Sequence, residues 1–240
     1  MLRFVKDDWE RLQSYLSEYR IGGEIESGEG ADLVKRMHKA TLASFQLLAK
    51  LEGLASTGEL YLCGINIDNC GLPFLFITET FSDIASTLFL SLHGLYKPAQ
   101  ASVRSSIEVF VRGGAALTAS EALGTKNVYE LFEVASAQAI FSGSSQGAFA
   151  KLRELYSSLC LFVHSASPAH MARSFALANY PRVDLAKMRE VVRSLETLVE
   201  CVASVLVVAN RNFYLQIPHR AKDLLDEVVP REIRLGALGA

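Results

Sequence analysis

The sequence of 240 residues is poor in cysteine and contains no CxxC pair. The four cysteines are Cys63, Cys70, Cys160 and Cys201. Zinc sites and disulfide frameworks need closer or denser cysteines. This usage is therefore typical of a reducing compartment, where cysteine acts as a small buried hydrophobe. The first residues also lack the apolar run of a secretory signal peptide. We therefore expect a cytoplasmic protein.

The sequence also lacks a strong excess of either charge. Lysine and arginine number 24 and aspartate and glutamate 26, which gives a formal net charge of −2. Binding to nucleic acids or membrane surfaces through bulk charge is therefore not expected, although a local basic face would be invisible in this total. Half of the residues are hydrophobic, so a chain of this length can bury a sizeable core.

One stretch lacks positive charge altogether, since no lysine or arginine occurs between Lys50 and Lys97. Within it, residues 72–96 are long and apolar enough to raise the question of a membrane span. Glu79 and Asp83 would make such a span costly, so we expect a buried core helix and no membrane. The two carboxylates could also bind a metal or pair with Arg104 or Arg112. The chain has no ExxH motif for a di-metal bundle, so we expect no metal and no cofactor.

Hydrophobic residues recur at steps of three and four through most of the chain, which predicts amphipathic helices. The predicted helices cover residues 7–19, 29–56, 74–92, 98–121, 125–141, 146–164, 185–213 and 219–229. Residues 60–65 are a candidate for a short strand or an extended arm. Asp184 is a candidate N-cap for the longest helix. Gly113 and Gly114 either make the helix over 98–121 flexible or let another backbone come close.

These helices predict an all-α fold, an up-and-down helical bundle with a long C-terminal helix. The sequence has no internal repeat and no clear linker, so we expect a single helical domain over residues 1–240. Its core bundle would comprise about residues 29–214, with an N-terminal helix and loop over 1–28 and a C-terminal appendage over 215–240. Bundle helices often bury a second stripe against a copy of themselves, which predicts a homodimer.

Three charged residues, Arg104, Glu108 and Arg112, follow one another at steps of four on one predicted helix. Such a series is either a solvated ladder of ion pairs or, because its neighbours are apolar, a partly buried group with a function. His164 ends another predicted helix, where the helix dipole favours a histidine, so that a structural and a catalytic role both stay open. Arg153 precedes His164 by eleven residues, which separates them by ~16 Å along a helix.

Two stretches of the sequence share a pattern with a known superfamily. The first stretch has the form A…L…G…A…R-S…E, and the second has the form Y…L…V-H. The matching residues are Ala85, Leu92, Gly94, Ala99, Arg104, Ser105, Glu108, Tyr156, Leu159, Val163 and His164. In these residues the sequence resembles the HEPN superfamily, within its poorly characterised prokaryotic branches.

The resemblance implies a HEPN-like bundle of four to five helices, often dimeric, with a polar site in a cleft at the dimer interface. Many HEPN proteins are metal-independent ribonucleases in toxin–antitoxin, CRISPR-linked or other anti-phage systems. Their signature is an arginine followed, after four to six residues, by a histidine. This sequence departs from that signature, because Arg153 is too early and no arginine lies at that distance before His164.

A HEPN-like site in this chain would combine residues of two helices. His164 would act as acid or base on a ribose 2′-hydroxyl or leaving oxygen, Arg104 would hold the phosphate, and Tyr156 would orient the reacting group. Glu108 would complete this site. The expected substrate-binding residues are Arg112 and Arg153.

Two functions are therefore expected from the sequence. The first is a HEPN-like effector that acts on or binds RNA in prokaryotic defence, with RNA and a protein of the same operon as partners. The second is a catalytically silent helical dimerisation module that binds a partner protein or a small ligand. A compact cleft of Arg104, Glu108 and His164 would favour the first, and Arg104 and Glu108 merely paired with each other would favour the second. A membrane-embedded bundle is a third interpretation.

Overall fold

The structure, a computed structural model, describes residues 3–18, 25–163 and 183–238. It is 80% helical, and the all-α class predicted from the sequence is confirmed. The helices are α1 (Arg3–Glu18), α2 (Gly28–Ser56), α3 (Leu72–Leu92), α4 (Tyr96–Ala115), α5 (Val128–Ser136), α6 (Gln146–Val163), α7 (Leu185–Ala209), α8 (Arg211–Leu215), α9 (His219–Val228) and α10 (Arg231–Leu238). His164, which ends one of the predicted helices, lies outside the described residues.

The two longest helices, α2 and α7, pack against each other. Each helix has a buried seam of residues at steps of three and four, because such residues share one helix face. These seams are Leu33, Met37, Ala40, Ser44, Leu47, Leu51 and Leu54 on α2, and Met188, Val192, Leu195, Val199, Val202 and Leu206 on α7. Exposed ion pairs join Glu29 to Arg189 and Arg36 to Glu196. The pairs follow the same order on both helices, so α2 and α7 run parallel.

Helices α3 and α4 form a close antiparallel hairpin. The Ser102 hydroxyl on α4 donates to the carbonyl oxygen of Asp83 on α3 at 2.9 Å. At the far end of the hairpin, a Cβ on Gly113 would lie 2.8 Å from the carbonyl oxygen of Pro73. Close approach of a second backbone, one of the two predicted uses of the glycine pair, is therefore confirmed at Gly113.

Helix α4 ends at Ala115 instead of continuing to residue 121 as predicted, and a 3-10 turn follows over Ser120–Leu123. A tertiary contact explains this early end. The Arg112 side chain binds the carbonyl oxygens of Ala122 and Thr125 in the segment after the helix. The helix predicted over 125–141 is also shorter. Asn127 caps it by accepting a hydrogen bond from the Tyr129 amide, and it ends at Ser136.

The long C-terminal helix is divided in two. Asp184 caps α7 as predicted, since its Oδ1 accepts a hydrogen bond from the Lys187 amide at 3.1 Å. The helix stops after Ala209, because Asn210 has an extended backbone and caps the following helix α8 through the Phe213 amide. The predicted continuous helix over 185–213 is therefore wrong at its C-terminal end.

The segment between α2 and α3, where a short strand or an extended arm was predicted over residues 60–65, forms a hairpin of two short strands. Residues Tyr61–Leu62 pair in antiparallel fashion with Ile65–Asn66. Both residues of the turn between them have positive φ, 50° for Cys63 and 80° for Gly64, as a two-residue hairpin turn requires. The hairpin is fixed to α7 by a hydrogen bond of 2.8 Å from the Cys63 amide to the Ala209 carbonyl.

Buried apolar residues form one cluster that extends from α1 to α9. Helix α1 joins it through Val5 and Trp9, which are both buried. His38 on α2 is buried beneath α1, where its Nε2 lies 2.5 Å from Oδ2 of Asp8 and its ring meets the edge of Trp9. Division of the chain into a single domain stays a prediction.

Helix α3 has the length and apolar composition of a membrane-crossing helix. Core helices of other proteins pass the same test, and part of α3 is buried against its neighbours. One such helix is weak evidence for a membrane, and the cytoplasmic location expected from the sequence stays a prediction.

Candidate functional site

Arg104 and Tyr156 meet where α4 packs on α6. The Nη2 of Arg104 donates a hydrogen bond to the Tyr156 hydroxyl at 2.5 Å, and its Nε donates to Sγ of Cys160 at 3.3 Å. The guanidinium carbon lies 4.7 Å from the centre of the Tyr156 ring. We call Arg104, Glu108, Tyr156 and Cys160 the α4–α6 cluster. Each helix contributes two of its residues, spaced four apart, so that both lie on the same face.

Arg104 is a half-buried cation without an ion pair. Among the described residues, no carboxylate oxygen lies within the 4.0 Å of a salt bridge from its guanidinium nitrogens. Burial works to lower the pKa of Arg104, but the hydrogen bond with Cys160 and the nearby Tyr156 and Glu108 raise it above its usual value. The side chain therefore stays charged, with a phenol hydroxyl and a cysteine sulfur as its direct partners.

Tyr156 is 2% exposed and lies among aromatic residues. Its ring centre is 5.4 Å from that of Phe132 on α5. Burial raises the pKa of Tyr156 to about 12, although the Arg104 charge acts in the opposite direction. At neutral pH the phenol is therefore protonated. It accepts a hydrogen bond from Arg104 and keeps its own hydrogen for another acceptor.

Glu108 and Arg112 have partners that serve the fold. Arg112 is 9% exposed, and its Nη1 donates to the carbonyl oxygens of Ala122 and Thr125, each at 2.8 Å. Its Nη2 donates to Oε1 of Glu108 at 3.0 Å. A substrate-binding role for Arg112 stays a prediction, but these contacts already employ both terminal nitrogens of the guanidinium.

Of the remaining predicted site residues, Arg153 lies apart from the cluster. Arg153 is exposed on α6 and pairs with Glu133 of α5 at 2.5 Å. His164 lies outside the described residues, so its predicted place beside Arg104 stays a prediction. The structure thus brings Arg104, Glu108 and Tyr156 to one place and leaves Arg153 apart.

Cys160 was not predicted as part of the site. A sequence signal existed, since Cys160 follows Tyr156 by one helical turn and shares its face. Cysteine is so often a plain core residue that this spacing alone could not distinguish it.

The two carboxylates of α3 do not pair with Arg104 or Arg112. No ion pair joins Glu79 or Asp83 to a cation in the part of the chain that the structure describes. Burial raises the pKa of Asp83, a hydrogen bond from Ser105 opposes this rise, and the nearby Glu79 adds to it. Within the same described part, no three His, Cys, Asp or Glu residues are grouped in a way that could hold a metal ion.

Comparison with known proteins gives no family model, no curated protein and no solved structure that matches the chain. Membership of the HEPN superfamily therefore stays a prediction.

Proposed function

We propose that this protein is a HEPN-like effector of prokaryotic defence or toxin–antitoxin systems that acts on or binds RNA. The observation that supports this best is that Arg104 is half-buried and has no carboxylate partner among the described residues. A half-buried guanidinium normally has a carboxylate partner, because an unpaired buried charge is costly. Arg104 instead has the Tyr156 hydroxyl and the Cys160 sulfur as partners, so its charge is available to an anion.

A phosphate is the anion that such a group suits best. Guanidinium binds phosphate oxygens through parallel hydrogen bonds. The Tyr156 ring restricts the position of the guanidinium, and its hydroxyl could donate to a phosphate oxygen. Glu108, one turn from Arg104, would contact a ribose hydroxyl. In a HEPN-like dimer, the same groups of two protomers would line one cleft.

Cleavage would need an acid and a base besides this anion site. The 2′-hydroxyl oxygen would attack the adjacent phosphorus while the bond from phosphorus to the 5′-oxygen breaks. One group takes the 2′ proton and another supplies a proton to the leaving 5′-oxygen. His164 is the residue we assign to one of these transfers. Tyr156, with its pKa raised to about 12, is unsuited to act as the base at neutral pH.

The test is incubation of purified protein with total RNA and a tRNA pool, without added metal. Arg104→Ala and His164→Ala are compared with wild type and with Arg193→Ala, which removes an exposed arginine of α7. We expect cleavage by wild type and Arg193→Ala, and at least a ~100-fold loss in each of the other two variants. Cleavage that survives Arg104→Ala would contradict the assignment of the site.

A second candidate function is a catalytically silent dimerisation module that binds a partner protein or a small ligand. Arg112 and Arg153, the two expected substrate-binding residues, favour this second function. Arg112 is bound to Glu108 and to carbonyl oxygens, and Arg153 is paired with Glu133, so both already have partners within the protein. If folded wild-type protein neither cleaves nor binds RNA, this second function is the better explanation.

A further inference from the structure

Helix α3 carries two seams of residues spaced alternately three and four apart. The inner seam, which includes Phe74, Ile77, Phe81 and Ile84, is buried against the rest of the protein. The outer seam consists of Leu72, Leu75, Glu79, Ser82, Ser86 and Phe89, and every one of these residues is exposed. Alternation of three and four is the spacing by which one helix receives another along its length.

The outer seam is apolar at its ends and polar in its middle. Leu72 is 56% exposed, and Leu75 and Phe89 are each 49% exposed. Single exposed apolar residues are ordinary, but here three of them share one face with two serines small enough for close helix approach. From Leu72 to Phe89 the seam is ~26 Å long, which suffices for a partner helix of several turns.

The middle of the seam carries negative charge without compensation. Glu79 is exposed, and no cation forms an ion pair with it or with Asp83 among the described residues. The Oδ2 atom of Asp83 is out of contact with solvent and has no hydrogen-bond partner. No cationic residue lies close to these carboxylates in the sequence, because lysine and arginine are absent between Lys50 and Lys97.

We propose that the outer seam binds one helix of a partner protein, and that this helix has apolar residues at both ends and lysine or arginine opposite Glu79. The apolar ends would cover Leu72, Leu75 and Phe89. The central cation would neutralise Glu79, which is exposed in the middle of the seam. Electrostatic complementarity of this kind selects the partner more than it adds affinity.

A second copy of the chain fits this seam poorly. The midpoint between Leu72 and Phe89 lies next to Glu79, so a two-fold pairing of α3 with α3 would bring the Glu79 carboxylates of both copies together. Like charges brought together in such a contact disfavour this pairing. Phosphate groups of RNA or of an anionic lipid surface would be repelled by the same carboxylates, and hydrocarbon would leave them unsolvated.

The surface is independent of the proposed function, because none of its residues belongs to the α4–α6 cluster. A loss of partner binding and a loss of RNA cleavage can therefore be observed separately. The same purified protein serves both assays.

The test uses two synthetic helical peptides of equal length. Both carry leucine at the positions facing Leu72, Leu75 and Phe89. One carries lysine and the other glutamate at the positions facing the middle of the seam. Binding to the full chain is measured by fluorescence anisotropy. We expect the lysine peptide to bind wild type about tenfold or more tightly than the glutamate peptide, and we expect Glu79→Lys to reverse this order.

The matched control is Glu52→Lys, which makes the same charge change at an exposed position of α2 and should leave the preference unchanged. Circular dichroism checks that both variants are folded. Equal binding of the two peptides, or no binding of either, would overturn the proposal. Self-association of wild type that Phe89→Glu abolishes, or binding to vesicles of neutral phospholipid, would assign the seam to a second copy or to a membrane instead.

Discussion

Arg104 and Arg112 lie two turns apart on α4, but their side chains bind different kinds of partner. Arg104 contacts a phenol and a thiol, whereas Arg112 binds the carbonyl oxygens of the segment that follows its own helix. The first arrangement leaves the guanidinium charge without a carboxylate partner among the described residues. The second satisfies backbone oxygens that would otherwise be buried without a donor.

Replacing Arg112 should therefore reduce stability. We expect Arg112→Met to lower the free energy of unfolding by about 2–4 kcal/mol, because it leaves buried carbonyl oxygens and Glu108 without their donor. Arg153→Met, which breaks the exposed pair with Glu133, should cost at most about 1 kcal/mol. Urea unfolding followed by circular dichroism measures both. Equal effects of the two substitutions would contradict the assigned role of Arg112.

The sequence predicted part of this arrangement at the level of residues. Arg104, Glu108 and Tyr156 were expected together, because helical spacing and the resemblance placed them on facing helices. The partners of Arg112 could not be predicted, since they are backbone oxygens whose positions depend on the path of the chain after Ala115. Local spacing carries no information on that path.

Among the elements, the α3–α4 hairpin depends on one small residue, Gly113. A Cβ at Gly113 would lie 2.8 Å from the Pro73 carbonyl oxygen and 2.9 Å from the Ile77 amide nitrogen. Both atoms belong to the backbone of α3, so neither can move aside as a flexible side chain could. The two helices would have to separate to accept any larger residue.

We therefore expect Gly113→Ala to lower the free energy of unfolding by about 1–3 kcal/mol through overpacking. The matched control is Gly53→Ala in α2, where nothing lies within 4 Å of the added Cβ. There, higher helix propensity should raise stability by about 0.5–1 kcal/mol. Denaturation midpoints compare the two variants, and a shift in the same direction for both would refute the close approach.

Helix bounds were predictable where they depend on local signals. The bounds of α2 and α3 agree with the predicted 29–56 and 74–92 to within about two residues, the ordinary uncertainty of helix ends. The ends of α4 and α7 were not predictable. Small apolar residues continue the helical pattern past Ala115, and only the contacts of Arg112 turn the chain there. At Asn210 the end depends on an extended backbone that capping of α8 favours.

In the whole molecule, α1 shares one hydrophobic cluster with the other helices. The single tryptophan of the sequence, Trp9, lies on this helix and is buried. Its fluorescence therefore reports on the attachment of α1, while circular dichroism at 222 nm reports on all helices together.

We expect the two signals to change in one coincident thermal transition, as they do when a shared core unfolds cooperatively. His38→Ala should move both transitions to lower temperature, because it removes the buried partner of Asp8. The exposed His219→Ala serves as the control, since its neighbour Asp223 lies 3.6 Å away on the surface. A tryptophan transition well below that of the helices would mean that α1 detaches on its own.

The pairing of α2 with α7 also has a consequence for synthesis on the ribosome. Glu29 and its partner Arg189 are separated by 160 residues. At translation rates of ~5–20 residues per second, roughly 8–32 s pass between the synthesis of Glu29 and the synthesis of Arg189. During that interval the nascent α2 has its leucine-rich seam but not the helix that finally covers it. Truncated products that stop before α7 should therefore be strong clients of chaperones and proteases, and the full-length chain should not.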